Sequence, residues 1–490
     1  MICIIIDLKE ILICCNKDIN LSGKIFPMPC RSTSGFFICL FSLAAFSTQA
    51  QTLSLKDAVE LALRNYGTLK AKSNYALASK ETILQARRDY LPNFTLSAQQ
   101  DYGTINGQNG PLYGLGGLSA SPSGPALSKQ NWHAAFGALY LANINWDVFT
   151  FGRTRGRVKV AKATYERDRR DLEQEMFQHE VRVSSAYLNL LAAQRLSRSQ
   201  EKNLERSGTF LNTALVRAKN GLIAGVDTSL ANAEVSSARI ALMNAKNFEQ
   251  TQANELGVLM GVTATSFVLD TLSVTRIPHL FPTDSVVPTQ HPALLYYQNS
   301  VEVSKEQTNQ YRRLYYPSFS LFGVMQGRGS GFEYDYPLDQ SLYSGRYLDG
   351  INPVRGNYLI GAGLTWNLTT LLRNHPQVKS QHYITEGLKN EYDMVDQQLE
   401  SQLALAEERI KNAMANYREA PVQVKAASDA YLQKSTLYKN GLTTLVDLTQ
   451  AIYALNRAET DRDIAYNNVW QALLLKCAAL GDYDLFINEF

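Results

Sequence analysis

The chain has 490 residues, a near-neutral formal charge of +3 and 45% hydrophobic residues. That length suffices for two or three ordinary domains, and the charge gives no electrostatic footing for a nucleic-acid or polyanion partner. Five of the six cysteines precede residue 40, leaving only Cys477, so the body can build neither an internal disulfide nor a cysteine-based metal site.

At the start, Arg31 precedes an apolar stretch from Phe36 to Phe46, and Thr48 and Ala50 stand where a signal peptidase reads small residues. This is the pattern of a cleaved secretory signal, with Gln51 the first mature residue. Met28 makes a conventional start for it, which leaves residues 1–27 as an upstream extension. The apolar run is shorter than the roughly 20 residues a membrane helix needs. Ile38 before Cys39 argues against lipid anchoring. No later segment has the apolar length of a membrane helix, so an exported chain of this kind is periplasmic, secreted or a barrel of the outer membrane.

After a helical segment over 54–90, Pro92 opens a strand in which Phe94, Leu96 and Ala98 alternate with Asn93, Thr95, Ser97 and Gln99. A second strand places Ala138, Tyr140, Ala142, Ile144, Trp146 and Val148 on one face and Asn143, Asn145 and Asp147 on the other. Strands of about ten residues match a tilted membrane crossing, and Trp146 near a strand end suits an interfacial aromatic belt. A soluble sheet with one buried face shows the same alternation. The segment between the strands, 103–135, is rich in glycine and serine and reads as a surface loop. Its Gly114-Leu115-Gly116-Gly117 cluster lacks the strand and helix of a phosphate-binding loop.

From Arg157 to Lys219 there is no proline and one glycine, Gly208, while Leu172, Met176, Val183, Tyr187 and Leu190 recur at helical spacing. A helix of this length spans roughly 90 Å and calls for coiled-coil packing. Asn220-Gly221-Leu222 ends it with the glycine of a left-handed terminus, and a returning helix runs from Thr228 to about Met260, with Asp227 as its N-cap or inside its first turn.

The series then recurs. Arg87 to Phe94 resembles Arg312 to Phe319, and Trp146 corresponds to Trp366. Asn220-Gly221-Leu222 with Val226-Asp227 corresponds to Asn440-Gly441-Leu442 with Val446-Asp447. In the second copy a helix over 291–315 precedes a strand after Pro317. A loop over 327–356 follows, carrying Tyr334, Tyr336, Tyr343 and Tyr347, and then a strand with Tyr358, Ile360, Ala362, Leu364, Trp366 and Leu368 on one face. A helix from Gln377 to Lys439, interrupted at Gly387 and Pro421, leads to a returning helix from Leu448 to about Leu480. A repeat this long marks two copies of a whole substructure, not a solenoid. The domains expected are an extension and signal over 1–50, a first repeat over 51–270, a linker over 271–290 and a second repeat over 291–490. Four strands cannot close a spanning barrel, so the chain must oligomerise, and three copies give an even twelve.

The order of elements, the twofold repeat, the proline before each first strand and the Gly-x-x-x-x-x-Asp turns at 221–227 and 441–447 resemble the TolC-like outer-membrane efflux proteins over about 55–480. The resemblance implies an α+β membrane protein: a homotrimer with a twelve-stranded transmembrane β-barrel, continued by a long α-helical coiled-coil barrel across the periplasm. It implies a passive outer-membrane duct for small molecules, joined by a periplasmic adaptor to an inner-membrane pump of RND or ABC type. Asn220, Gly221, Leu222, Asn440, Gly441 and Leu442 are then the adaptor-contacting tip turns, and Trp146 and Trp366 the anchors against outer-membrane lipid. Asp227, Tyr438 and Asp447 match residues of the periplasmic gate. Thr443 stands where the family's best-known gate has an arginine, and Gln450 replaces a further aspartate. The resemblance therefore predicts a differently latched gate and a single carboxylate ring. Three Asp447 side chains around a threefold axis would repel one another, attract cations and raise each other's pKa; helix capping is the plainer role.

No enzyme constellation is visible and no cofactor or metal is expected. His179-Glu180 lacks the second histidine of a zinc-protease helix, and His375 and His382 have no acidic or cysteine companions. The basic run Arg153, Arg155, Arg157, Lys159 and Lys162 fits the solvated start of a helix beside the membrane. The same tunnel would serve as the exit duct of a type I protein secretion system, and a periplasmic coiled-coil scaffold is the alternative from another class.

Overall fold

The computed structural model describes residues 52–107, 124–263, 266–270, 276–278 and 286–490. The expected signal over 1–50, the glycine cluster at 114–117 and most of the linker lie outside the described residues.

The leading helical segment is two helices, α1 Leu55–Asn65 and α2 Gly67–Arg88. Ser54 caps α1 by accepting from the Asp57 amide at 3.1 Å. The break falls at Tyr66, whose backbone is extended and whose ring stacks on His179 at 3.8 Å. Strands β1 Asn93–Thr104, β2 Ala134–Phe149, β3 Ser318–Ser330 and β4 Arg355–Thr365 form one antiparallel sheet in chain order. Two expected boundaries shift. The loops assigned to 103–135 and 327–356 yield their ends to strands, because ladder pairs continue to Thr104↔Ala134 and Arg328↔Arg355. Trp366 and Leu368 fall just beyond β4, where Asn367 Oδ1 accepts from the Thr369 amide at 3.1 Å and turns the chain into the next helix.

Register decides what the alternation means. Phe94 pairs with Ile144, Leu96 with Ala142, Trp146 with Leu321, Met325 with Tyr358 and Phe319 with Leu364. Opposed residues point to the same side of a sheet, so the apolar alternates of all four strands share one face. The other face carries Thr95, Asn143, Asn145 and Asp147, with Ser320 Oγ donating to Asp147 Oδ1 at 2.6 Å. A bulge between Trp146 and Phe149 pairs Phe149 with Phe319 and so adds it to the apolar side. The two outer strands, β1 and β4, each have one neighbour among the described residues.

Helix α3 runs over Arg153–Lys219 and α4 over Gly225–Met260; α5 Pro292–Arg313 precedes β3, and a short α6 Tyr347–Ile351 lies between β3 and β4. Helix α7 spans Thr369–Lys439, α8 Leu445–Leu480 and α9 Asp484–Ile487. At 1.5 Å per residue α3 and α7 each reach roughly 100 Å. Unlike the sequence expectation, α7 begins before Gln377 and passes through Pro376, Gly387 and Pro421 without interruption. Each proline removes one backbone hydrogen bond, and packing of α7 against α5 and α8 carries the helix through. Helix α3 packs on α2 and α5 over its first part, as in Lys72–Asp171 at 2.7 Å and Lys159–Glu306 at 3.7 Å, and on α4 and α8 further along.

The main core gathers α1, α3, α4, α8 and the C-terminal segment around Tyr187, Leu190, Leu256, Met260, Leu473 and Phe486. Burying a side chain of this size stabilises by about 1.5–3 kcal/mol, and this cluster ties the middle of α3 to the C-terminal ends of α4 and α8. Between β3 and β4, Tyr336 is buried, its ring packed on Phe332 at 4.7 Å, and Tyr343 stacks on His133 at 4.5 Å, while Tyr334 is exposed.

Candidate functional site

The site is built by two helical turns of like construction. At the end of α3 the Gly221 amide donates to the Ala218 carbonyl at 3.0 Å and the Leu222 amide to Arg217 at 2.9 Å. At the end of α7 the Gly441 amide donates to Tyr438 at 3.1 Å and Leu442 to Leu437 at 2.9 Å. This is the Schellman pattern, which needs a left-handed residue after the cap. Gly221 and Gly441 supply it at φ 70° and 81°. The turns leave Leu222 and Leu442 64% and 72% exposed, with Val226 and Val446 exposed beside them.

Asp227 and Asp447 both lie in the first turn of the returning helix, not at its cap. The caps themselves differ. Thr444 Oγ1 accepts from the Asp447 amide at 3.2 Å and donates to Asp447 Oδ2 at 2.7 Å, while the Thr444 amide donates back to that carboxylate at 3.3 Å. This is a capping box. Thr443, standing where the resemblance expects an arginine, adds a donor to Asp447 Oδ2 at 2.9 Å, and Lys434 Nζ lies 3.7 Å from Oδ1. The Thr444 and Thr443 hydroxyls chiefly hold the Asp447 carboxyl down at about 2. Sequence reasoning expects repulsion in a ring to raise this pKa; within one chain the local donors act in the opposite direction. At the start of α4 Ala224 occupies the cap and offers no side-chain bond, and no side chain among the described residues donates to the Asp227 carboxylate.

Because the folded-state pKa of Asp447 is depressed, its contribution is complete above its ordinary value of 3.8 and is lost as pH falls through about 2. Replacing Thr444 by alanine is expected to cost about 1 kcal/mol of helix stability and to move acid loss at this turn to higher pH. Thermal unfolding followed between pH 2 and 5 measures both effects.

Tyr438, the second predicted gate residue, is 2% exposed and packs against Phe210, Leu445, Leu448 and Ile452. Its partner comes from α3. Arg217 Nη1 donates to the Tyr438 carbonyl, and the guanidinium carbon sits 4.8 Å above the Tyr438 ring. Burial raises the Tyr438 pKa, with Arg217 opposing and the charge of Asp227 adding to the rise.

Two more contacts join the α3–α4 hairpin to α8. Arg206 on α3 makes a two-pronged contact with Glu459 on α8, at 3.1 and 2.8 Å, and Tyr453 donates to Glu234 Oε2. That bond, chiefly, pushes the Tyr453 hydroxyl up to about 12. None of Arg206, Glu459, Glu234 and Tyr453 was singled out by sequence, since their partners lie more than 200 residues away. At the far end of α3, Trp146 Nε1 donates to the Tyr90 carbonyl at 2.8 Å and Trp366 Nε1 to the Tyr315 carbonyl at 3.0 Å. The two predicted anchors make the same bond at matching places.

Residues 58–262 match the model of the outer membrane efflux protein family. No curated protein matches the chain. Among solved structures the chain resembles CusC, with a TM-score of 0.72, 14% identity and coverage of 91% of this chain and 96% of that one. It also resembles VceC of Vibrio cholerae, at 0.68 and 17% identity over 87% and 96% of the two chains. CmeC of Campylobacter jejuni follows at 0.69 and 15% identity over 87% and 85%. The fold, mostly helical with a small four-stranded sheet, is that of outer-membrane channels. Residues 58–262 are thus similar to the outer membrane efflux protein family, and the chain as a whole shares the fold of these channel structures.

Proposed function

We propose that three copies of this chain form an outer-membrane duct for export of small molecules, closed at the paired turns and opened when an adaptor engages them. The observation that carries this reading is the sheet. Its four strands gather Phe94, Ile144, Trp146, Leu321, Ile360 and Leu364 on one face, and among the described residues β1 and β4 have no partner on their outer sides. Such edges pair with further strands, and spanning barrels start at eight. Three chains supply twelve strands, with the polar face lining the lumen. The matching order of elements in the two halves, strand, strand, long helix and returning helix, supports two structural repeats, 51–270 and 291–490, that act as equivalent staves. Exposed apolar side chains on α4 and α7, among them Ile240, Met243, Leu405 and Leu432, support helix contacts between neighbours.

In this arrangement Trp146 and Trp366 mark the inner membrane interface and the helices reach into the periplasm. Asn220, Gly221, Leu222, Asn440, Gly441 and Leu442 form the tip, where the exposed leucines give an adaptor an apolar grip. The adaptor in turn couples the duct to a pump of RND or ABC type. Tyr438 and Arg217 hold one hairpin to the other, while Asp447 from three chains rings the aperture and Asp227 stands beside the Tyr438 latch. Fixed carboxylates in a narrow pore favour cations. Purified protein in planar bilayers is expected to conduct with cation preference, and Asp447→Asn is expected to weaken that preference. A conducting Asp447→Asn channel with unchanged selectivity removes Asp447 from the aperture; a protein that never conducts removes the duct.

A further inference from the structure

The junction between strands and helices carries chemistry that a duct does not use. A cavity of about 720 Å³ opens where the end of α5 meets the start of α7 and the β2–α3 corner, lined by Phe151, Arg312, Arg313, Tyr315, Tyr316 and His375 among others. This lies within the roughly 300–1,000 Å³ of small-molecule sites. None of its lining residues is acidic. Arg312 is exposed and makes no ion pair among the described residues. Arg313 Nη1 donates only weakly to the Gly152 carbonyl, at 3.4 Å. Nearby, Arg153 Nη2 donates to the Tyr316 carbonyl at 3.3 Å and leaves its Nε buried without a partner. Positive charge is concentrated here without a carboxylate to neutralise it.

The cavity also sits on a particular side of the wall. Phe149, brought to the apolar face of the sheet by the bulge, has its ring 4.7 Å from that of Phe151, and Phe151 stacks on Tyr316 at 6.0 Å. Exposed rings therefore run without a gap from the apolar face to the cavity wall. The indoles of Trp146 and Trp366 bond to Tyr90 and to the lining residue Tyr315, which sets the cavity at the level of the aromatic anchors. Aromatic side chains settle at the headgroup level of a bilayer, and basic pockets there bind anionic headgroups. Guanidinium groups match phosphate oxygens two at a time.

We propose that this cavity binds the phosphate headgroup of an anionic phospholipid in the leaflet facing the helices, with the acyl chains lying along the Phe151, Phe149 and Phe319 track. The proposal rests on the reading that the sheet spans the membrane. Arg312 and His375 reach the phosphate freely, whereas Arg313 also braces Gly152 and serves the corner itself.

The test is native mass spectrometry of the detergent-purified assembly with added phosphatidylglycerol, phosphatidylethanolamine or inorganic phosphate. Phosphatidylglycerol is expected to be retained several-fold more than phosphatidylethanolamine. The pair Arg312→Gln with His375→Gln is expected to abolish that preference, and Arg312→Lys to keep most of it. Equal retention of the two lipids, an unaltered preference in the double variant, or full displacement by inorganic phosphate overturns the proposal. An assembly that is recovered from the outer membrane and conducts, yet shows no lipid preference, removes this inference alone. Protein absent from the outer membrane removes the duct reading with it.

Discussion

Arg217→Ala is expected to leave the protein in the outer membrane and to raise the conductance of the reconstituted channel several-fold. The side chain joins the two hairpins twice over, donating to the Tyr438 carbonyl and lying 4.8 Å above its ring. A cation over an aromatic ring contributes about 0.5–2 kcal/mol, and a hydrogen bond from a charged group about 1.5–3 kcal/mol. Arg217 is partly solvent-exposed, which screens both contributions and places their sum at about 2 kcal/mol. That still shifts a two-state opening equilibrium by more than tenfold per chain. Arg217→Lys keeps the charge and loses the planar group, so an intermediate conductance is expected. Single-channel recordings make the comparison, and an Arg217→Ala channel with wild-type conductance would remove the latch.

The second large effect concerns Arg206 and Glu459, whose side chains are only 15% and 17% exposed. Taking away one partner strands the other charge in a desolvated place, at a cost of about 3 kcal/mol or more. Arg206→Met and Glu459→Gln are each expected to lower the thermal midpoint of the assembly at fixed protein concentration by several degrees. The double variant is expected to recover part of the loss, because neither charge is then left alone. Losses that simply add would show that the contact contributes little and that each residue acts through other neighbours.

Much of this fold was legible because two of its signals are local. Alternation after Pro92, and more loosely after Pro317, marks strands, and the Asn-Gly pairs at 220 and 440 mark left-handed helix ends, since glycine adopts a positive φ without steric penalty. What escaped notice is set by tertiary contact. Phe149 has the wrong parity for the apolar face and reaches it only through the bulge after Trp146. Gly387 and Pro421 read as interruptions of α7, yet it continues through both, packed against its neighbouring helices. The candidate site divides in the same way. Tyr438 and Asp447 stand out beside a glycine turn, whereas the partner of Tyr438 lies 221 residues earlier on a different helix. Thr443 reads as the loss of an arginine, and only the structure shows its hydroxyl donating to Asp447.

In the proposed duct one chain is a third of a closed wall, and among the described residues β1 and β4 each have a neighbour on one side only. Native mass determination on material extracted from outer membranes tests it most directly. Three chains per particle, released only by detergent and dissociated by heat, is the result expected. A water-soluble monomer recovered without detergent would contradict it.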